Sequence, residues 1–525
     1  MSQSSPAPVQ RLKLDASSAF ITEMAARNEL QVVVAMALDE IVEEERWRTL
    51  LKVMQDRHDI FKTVITRDAK GDPSLELRAE VPWVPAVSSV DFDDEFSGTT
   101  RLSTDPASWA GAVTARDVIA GWHAQALALG HEPLDENGPL IRVTLCRYPR
   151  LNKTFALWVI HHALYDSDVI VRIFDELALD TLRLYGPEEG VISEEEAERV
   201  LNPGRTFLPD SETFGSHRKL RGCMGSTYTV LRSITMIASG MLRAKQIPKT
   251  PKLTAPPAGV TGERSAEAVH TFQLSADLTA RLRTVAKEQG NTNVWGLMCA
   301  ISQVTAYEQA VRTGLIPSKR CGCLGERRKD RVFVAAEMSM RALSRDPVPV
   351  TSERGMGLWA TQMVFHAPAA FVDTREELFD LARRCRASMV DAVAKKRIPW
   401  LGERIAELVL AGLGTRKAVD VISKAAPVPL IAFNNVGVVK PVFKPPDQAR
   451  VVDGIYWFGG GSRPDVGAYL EFYVITPATS RGPEMCITIH NNAGRFPRDA
   501  FVAACERFKA LLMLAVGGEY AQVPV

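Results

Sequence analysis

Phe155-Ala156-Leu157-Trp158-Val159-Ile160 runs straight into His161-His162-Ala163-Leu164-Tyr165-Asp166-Ser167. The first six residues are apolar and rich in aromatic and β-branched side chains, which is the pattern of a buried strand. Five of the next seven carry polar groups, and two of the chain's nine histidines stand side by side at the strand's exit. An imidazole there is placed for proton transfer, because its ordinary pKa lies near working pH. A helix is expected to begin near Val169, with Ile170, Ile173, Phe174, Leu177 and Thr181 on one face. The histidines therefore lie in a short strand-to-helix loop.

The elements around this segment mix strands and helices. Leu30–Leu38 reads as a strand and Glu43–Asp56 as an amphipathic helix. Phe61–Thr66 reads as a short strand, and residues 112–130 as a helix. Leu140–Arg147 and Thr154–Ile160 form the strand pair that bears the histidines. In the second half, His270–Leu274 is a strand, Leu278–Lys287 and Val294–Arg312 are helices, and Arg331–Ala335 is a strand. Arg375–Ala394 is a long helix. Leu430–Phe433 is an apolar run ending at Asn434. Tyr469–Ile475 pairs with Cys486–His490, and Phe501–Leu512 closes as a helix. Gly459-Gly460-Gly461 lacks the spacing of a phosphate-binding loop and reads as a hairpin connection. The alternation predicts an α/β protein of two lobes, each a mixed sheet with flanking helices.

A chain of 525 residues exceeds one ordinary core. The composition divides it into an N-terminal lobe over 1–200, an interlobe segment over 201–262 rich in proline, glycine and basic residues, and a C-terminal lobe over 263–525. Within the middle segment, Tyr228–Arg243 is expected to pack as a helix on a lobe. A net charge of +1 gives no global attraction to nucleic acid or anionic membranes. No run approaches the length of a membrane span, and the polar start Met1–Pro8 is not a secretory signal. Eight scattered cysteines suit reduced thiols in the cytoplasm. Cys321 and Cys323 lack the further ligands a structural zinc needs, and adjacent His161 and His162 point to opposite faces of a strand. No metal is expected.

From the residues alone, His162 is either a satisfied polar side chain or a general base on a hydroxyl or amine attacking an acyl carbonyl. Asp166 is an architectural carboxylate that holds the loop. Backbone N–H groups near Ser167 are positioned to meet an oxyanion.

The segment His161–Ser167 resembles the HHxxxDG motif of nonribosomal peptide synthetase condensation domains and of chloramphenicol-acetyltransferase-like acyltransferases. Five further segments resemble family positions in the same order. Asp56–Val64 is similar to RHExLRTxF, and Pro133–Arg142 to the stretch before the histidine strand. Met338-Ser339-Met340-Arg341 is similar to sGR, Gly357–Thr361 to the Gly-x-Phe-x-Asn stretch, and Phe433–Gly437 to fNNxG. The resemblance implies two chloramphenicol-acetyltransferase-like lobes in a V, with a tunnel between them. His162 would be the base near its middle, Asp166 a structural partner of Arg341, and His161 a supporting residue. Ser167, Trp359 and Asn434 would lie near the oxyanion or substrate. The motif's final glycine is Ser167 here, and the glycine of sGR is Met340.

The function implied is a monomeric acyltransferase of secondary metabolism. It would move an acyl group from a thioester, acyl-CoA being favoured, to a hydroxyl of a small molecule without a tightly bound cofactor. A stand-alone condensation enzyme working with a carrier protein is the alternative, and a silent binding module a further one. Arg327, Arg328 and Lys329 form either a candidate cluster for coenzyme A phosphates or a solvated loop.

Overall fold

The computed structural model describes residues 10–14, 16–27, 31–78, 80–92, 115–117, 121–185, 268–316, 331–339, 360–394, 414–425, 429–439, 452–460, 468–479 and 481–517. The interlobe segment 201–262, the Cys321/Cys323 pair, the cluster Arg327–Lys329, and Arg341 and Trp359 lie outside the described residues.

In chain order the first half supplies β1 (Gln10–Lys13), α1 (Ala16–Ala26), β2 (Gln31–Leu38), α2 (Glu44–Arg57), β3 (Thr63–Arg67), β4 (Pro73–Leu77), β5 (Ala86–Asp91), β6 (Ala115–Asp117), α3 (Gly121–Gly130), β7 (Ile141–Tyr148), β8 (Lys153–Ile160) and α4 (Ser167–Tyr185). The second supplies β9 (Ala268–Leu274), α5 (Ala276–Glu288), α6 (Val294–Arg312), β10 (Arg331–Ser339), β11 (Ala360–Pro368), α7 (Arg375–Ala394), α8 (Thr415–Ala425), β12 (Ile431–Val438), β13 (Val452–Gly460), β14 (Leu470–Thr476), β15 (Ala478–Thr479), β16 (Gly482–Pro483), β17 (Met485–Asn491) and α9 (Arg498–Val516).

Two mixed sheets carry the fold. One has the order β13-β2-β8-β7-β5, with only β5 and β7 parallel. The other has the order β11-β10-β12-β14-β17-β9-β6, parallel from β10 through β14 and antiparallel elsewhere. The expected α/β class with two mixed sheets and flanking helices is the one observed. Each sheet also takes a strand from the other half of the chain. β13 pairs with β2, and β6 pairs with β9.

The histidine strand β8 lies at the centre of the five-stranded sheet, between β2 and β7. Phe155 to Ile160 are all at most 3% exposed, as a strand covered on both faces requires. Trp158 contacts Trp47 of α2 and Phe174 of α4, each with ring centroids 5.3 Å apart. The β7–β8 turn closes at Asn152, whose φ of 51° is one an asparagine tolerates better than most residues. The seven-stranded sheet packs one face on α5, α6, α7 and α9 through residues such as Leu282, Val304, Leu378 and Phe508. Its other face meets the first lobe. There the Tyr456 hydroxyl donates to Gln273 Oε1 at 3.0 Å, and the His123 ring lies 2.8 Å from Thr271 Oγ1.

Three local readings are corrected. Residues 112–130 are not one helix, since β6 precedes α3, which starts only at Gly121. The short strand expected over Phe61–Thr66 begins at Thr63, after a 3-10 turn over Asp59–Lys62. Gly459 and Gly460 are not a hairpin connection; they end β13. The described cysteines Cys146, Cys299, Cys385, Cys486 and Cys505 are buried and outside any disulfide. No described helix is long and apolar enough to cross a membrane.

Candidate active site

The loop after β8 is set by its own backbone. The His161 N–H donates to the Leu140 carbonyl at 3.0 Å, which extends the sheet by one residue, and the Leu164 N–H returns to the His161 carbonyl at 3.1 Å. His161 is 2% exposed, and burial, with the neighbouring His162, pushes its pKa down to about 3. It is a neutral ring in the lobe interior. The His162 side chain points the other way, as adjacent residues leaving a strand do. Its Nδ1 lies 3.1 Å from the Tyr165 carbonyl. A carbonyl only accepts, so Nδ1 carries the hydrogen and Nε2 keeps its lone pair.

Asp166 is buried. Its Oδ1 accepts from the Val169 N–H at 2.9 Å, while its own carbonyl accepts from Ile170 at 3.1 Å. That is the geometry of an N-cap residue, with a carboxylate at the positive end of a 19-residue helix. Ser167 is the first helical residue and is half-buried. Among the described residues only Asn152 and Asn291 have positive φ without being glycine, so Ser167 needs no left-handed backbone.

Helix α4 is fixed in turn by a buried ionic network. Arg57, at the end of α2, donates to Glu176 Oε2 at 2.9 Å and to both oxygens of Asp180 at 2.9 Å. Arg172 donates to Glu176 Oε1 at 2.7 Å, and the His58 ring also meets Glu176. Burial would raise the Glu176 carboxyl, but the hydrogen-bonded His58 and the guanidiniums of Arg172 and Arg57 hold it at about 2. Burial drives His58 the opposite way from protonation. Two guanidiniums thus face two carboxylates, which is how charges survive in an interior.

Across from His162 stands the inner face of the seven-stranded sheet. His162 Nε2 lies 4.0 Å from Glu337 Oε1 on β10. The other Glu337 oxygen accepts from Asn434 Nδ2 on the neighbouring strand β12. Asn434 pairs in register with Tyr473 of β14. The Tyr473 hydroxyl donates to Glu471 Oε2 at 2.9 Å and accepts from the Gly459 N–H at 3.2 Å. Glu471 further receives Asn492 Nδ2 at 2.8 Å and lies 3.1 Å from His490 Nδ1. A Cβ on Gly459 would come within 3.3 Å of both the Tyr473 hydroxyl and Glu471, so only glycine lets this backbone approach freely. Burial raises the Glu337 pKa, and the negative charges of Glu471 and Asp166 add to it, against the opposing pull of His162 and Asn434.

The structure therefore brings together His162, Asp166, Ser167 and Asn434, with His161 buried behind them. The sequence reading missed Glu337, Glu471, Tyr473, His490 and Gly459. Asn434 was the one signal on that wall. Among the described residues no group of three or more His, Cys, Asp or Glu side chains is arranged to hold a metal ion.

No protein-family model and no curated protein matches the sequence. Solved structures match the fold over almost the whole chain. TRI3 trichothecene 15-O-acetyltransferase from Fusarium sporotrichioides aligns with a TM-score of 0.62 at 11% identity, covering 98% of this chain and 97% of that one. The first condensation domain of the calcium-dependent antibiotic synthetase aligns with a TM-score of 0.58 at 14% identity, covering 98% of both chains. The epimerization domain from the third module of tyrocidine synthetase B aligns at 0.52 and 13%, covering 98% and 99%.

Proposed function

From the two-lobed fold that this chain has in common with condensation domains and an O-acetyltransferase, we propose that it is an acyltransferase with His162 as its general base. The observation that carries the reading is the Nδ1–H to Tyr165 carbonyl hydrogen bond, which leaves Nε2 directed across to the opposite sheet. In the proposed step a nucleophile, a hydroxyl on a small molecule, gives its proton to Nε2 as its oxygen attacks the thioester carbonyl carbon. The C–S bond then breaks, and the departing thiolate takes the proton back from Nε2. The acyl group ends on the acceptor and the thiol is released.

Asp166 acts in this reading by holding α4 and the histidine loop, with Arg341 as its ionic partner. His161 supports the ring from behind, Asn434 and Trp359 line the substrate space, and N–H groups near Ser167 face the oxyanion. In this reading the donor is an acyl-CoA and the setting is secondary metabolism in the cytoplasm. The condensation-domain neighbours favour a second reading, in which the donor thioester sits on a separate carrier protein. The test is thiol release and intact-mass product detection from a panel of acyl-CoA thioesters and acylated carrier proteins against candidate alcohols and amines. Transfer from free acyl-CoA supports the first reading. Transfer only from acylated carrier protein supports the second, and transfer from neither overturns both.

A further inference from the structure

We propose that Glu337 is a positioning residue for His162, its carboxylate facing Nε2 so as to hold the imidazolium formed when Nε2 takes a proton from the acceptor. The inference rests on the acyltransferase reading only for that proton's source; the coupling between the two side chains stands on geometry. Glu337 lies towards the C-terminal end of β10, on a different sheet from the strand that carries the histidine loop. One oxygen is tied to Asn434, which fixes the plane of the carboxylate, and the other lies 4.0 Å from Nε2. The Glu337 side chain is 31% exposed and that of His162 11%, so both border open space.

The other groups around the pair do different work. Asp166 spends one oxygen on the Val169 N–H. Glu471 is held by Tyr473, Asn492 and His490. His161 is kept neutral by burial, and the Tyr473 hydroxyl, whose ionisation is pushed far up by burial and by Glu471, is neutral as well. Glu337 is thus the described carboxylate nearest Nε2. A proton arriving on Nε2 favours the ionised carboxylate, against the burial and the negative charges of Glu471 and Asp166 that raise its pKa. With Glu337 ionised, the proton taken from the acceptor turns a neutral ring beside a carboxylate into an ion pair. When the thiolate recovers it, the pair returns to its starting state.

The test is an NMR titration of the His162 ring in the wild type, Glu337→Gln and Glu337→Asp, with His162→Ala assigning the resonance and thermal melting checking the fold. Glutamine keeps an oxygen for Asn434 and removes the charge. The account expects His162 in Glu337→Gln to titrate lower than in the wild type by on the order of one pH unit. It expects the acid limb of kcat/KM to move with it and kcat to fall roughly tenfold. Aspartate should restore part of the shift. An unmoved His162 titration in a folded Glu337→Gln overturns the proposal. Because the titration needs no substrate, a shifted ring in a protein that transfers no acyl group would retain the coupling and reject the acyltransferase reading.

Discussion

His162 Nε2 faces Glu337 Oε1 at 4.0 Å across the gap between two sheets that share no hydrogen-bonded ladder with each other. Among the described residues, the hydrogen bonds that set the His162 loop come from the first lobe: the β8 exit, the Tyr165 carbonyl, and the cap on α4. Among the described residues, Glu337 is held from β10 and its neighbour β12. The site exists only because the two walls are held in register. The exchanged strand β13 helps by pairing with β2 while its Tyr456 and Gly459 bond to the opposite sheet.

Removing the cap on α4 should loosen the histidine loop. Asp166→Ala leaves the Val169 N–H without its acceptor and is expected to cost about 0.5–2 kcal/mol of stability, with turnover falling alongside. Asp166→Asn keeps an acceptor oxygen and should cost less. Thermal or urea unfolding of the two variants checks this. Equal losses would mean that the carboxylate's charge, not its cap, holds the loop.

The network under α4 predicts a larger loss. Arg57→Ala leaves Glu176 and Asp180 buried with one cation fewer, and should destabilise the protein by about 3–5 kcal/mol. Chemical denaturation measures it. A loss below about 1 kcal/mol would show that water or a rearranged Arg172 replaces the guanidinium.

Acid should unfold this lobe early. His161 is held at about 3 and His58 is also lowered, so the folded state binds these protons later than the unfolded chain does. Their contribution is complete above the ordinary histidine value near 6.5 and shrinks as pH falls below it, for His161 down to about 3. Glu176, held at about 2, adds a loss that begins below the ordinary carboxylate range and continues down to about 2. Melting temperature should therefore decline from about pH 6.5 downwards. A flat profile between pH 7 and 4 would contradict the neutral, buried state of both rings.

Gly459 gives a test of the second wall. Gly459→Ala forces the Tyr473 hydroxyl and the Glu471 carboxyl to retreat by a few tenths of an ångström. The expected result is a stability loss of roughly 1–3 kcal/mol with reduced turnover. Wild-type values on both measures would show that the Tyr473–Glu471 pair does not shape the site.

The elements that announce themselves in the sequence are those whose pattern is local. The helices over Val294–Arg312 and Arg375–Ala394 have the bounds their periodicity predicts, and the β7–β8 pair follows from two apolar runs either side of a Pro-Asn turn. The end of strand β13 was misread because its glycines look like a turn; Gly459 lets the backbone approach Tyr473. Glu337 and Glu471 gave no signal at all. An acidic residue in a strand reads as solvent-facing, and only the meeting of two sheets turns that face into the wall of a cleft. His162 and Asp166 were legible because they follow each other in one loop; Glu337, which faces His162 across the gap, lies 175 residues further on.

The central claim is that His162 moves the acceptor's proton. Its most direct measurement is kcat/KM for thioester consumption by wild type and His162→Ala, with the donor and acceptor found by screening and melting curves recorded in parallel. The account predicts a fall of about 10²–10⁴-fold with an unchanged melting temperature. Full turnover by a folded His162→Ala protein would contradict it.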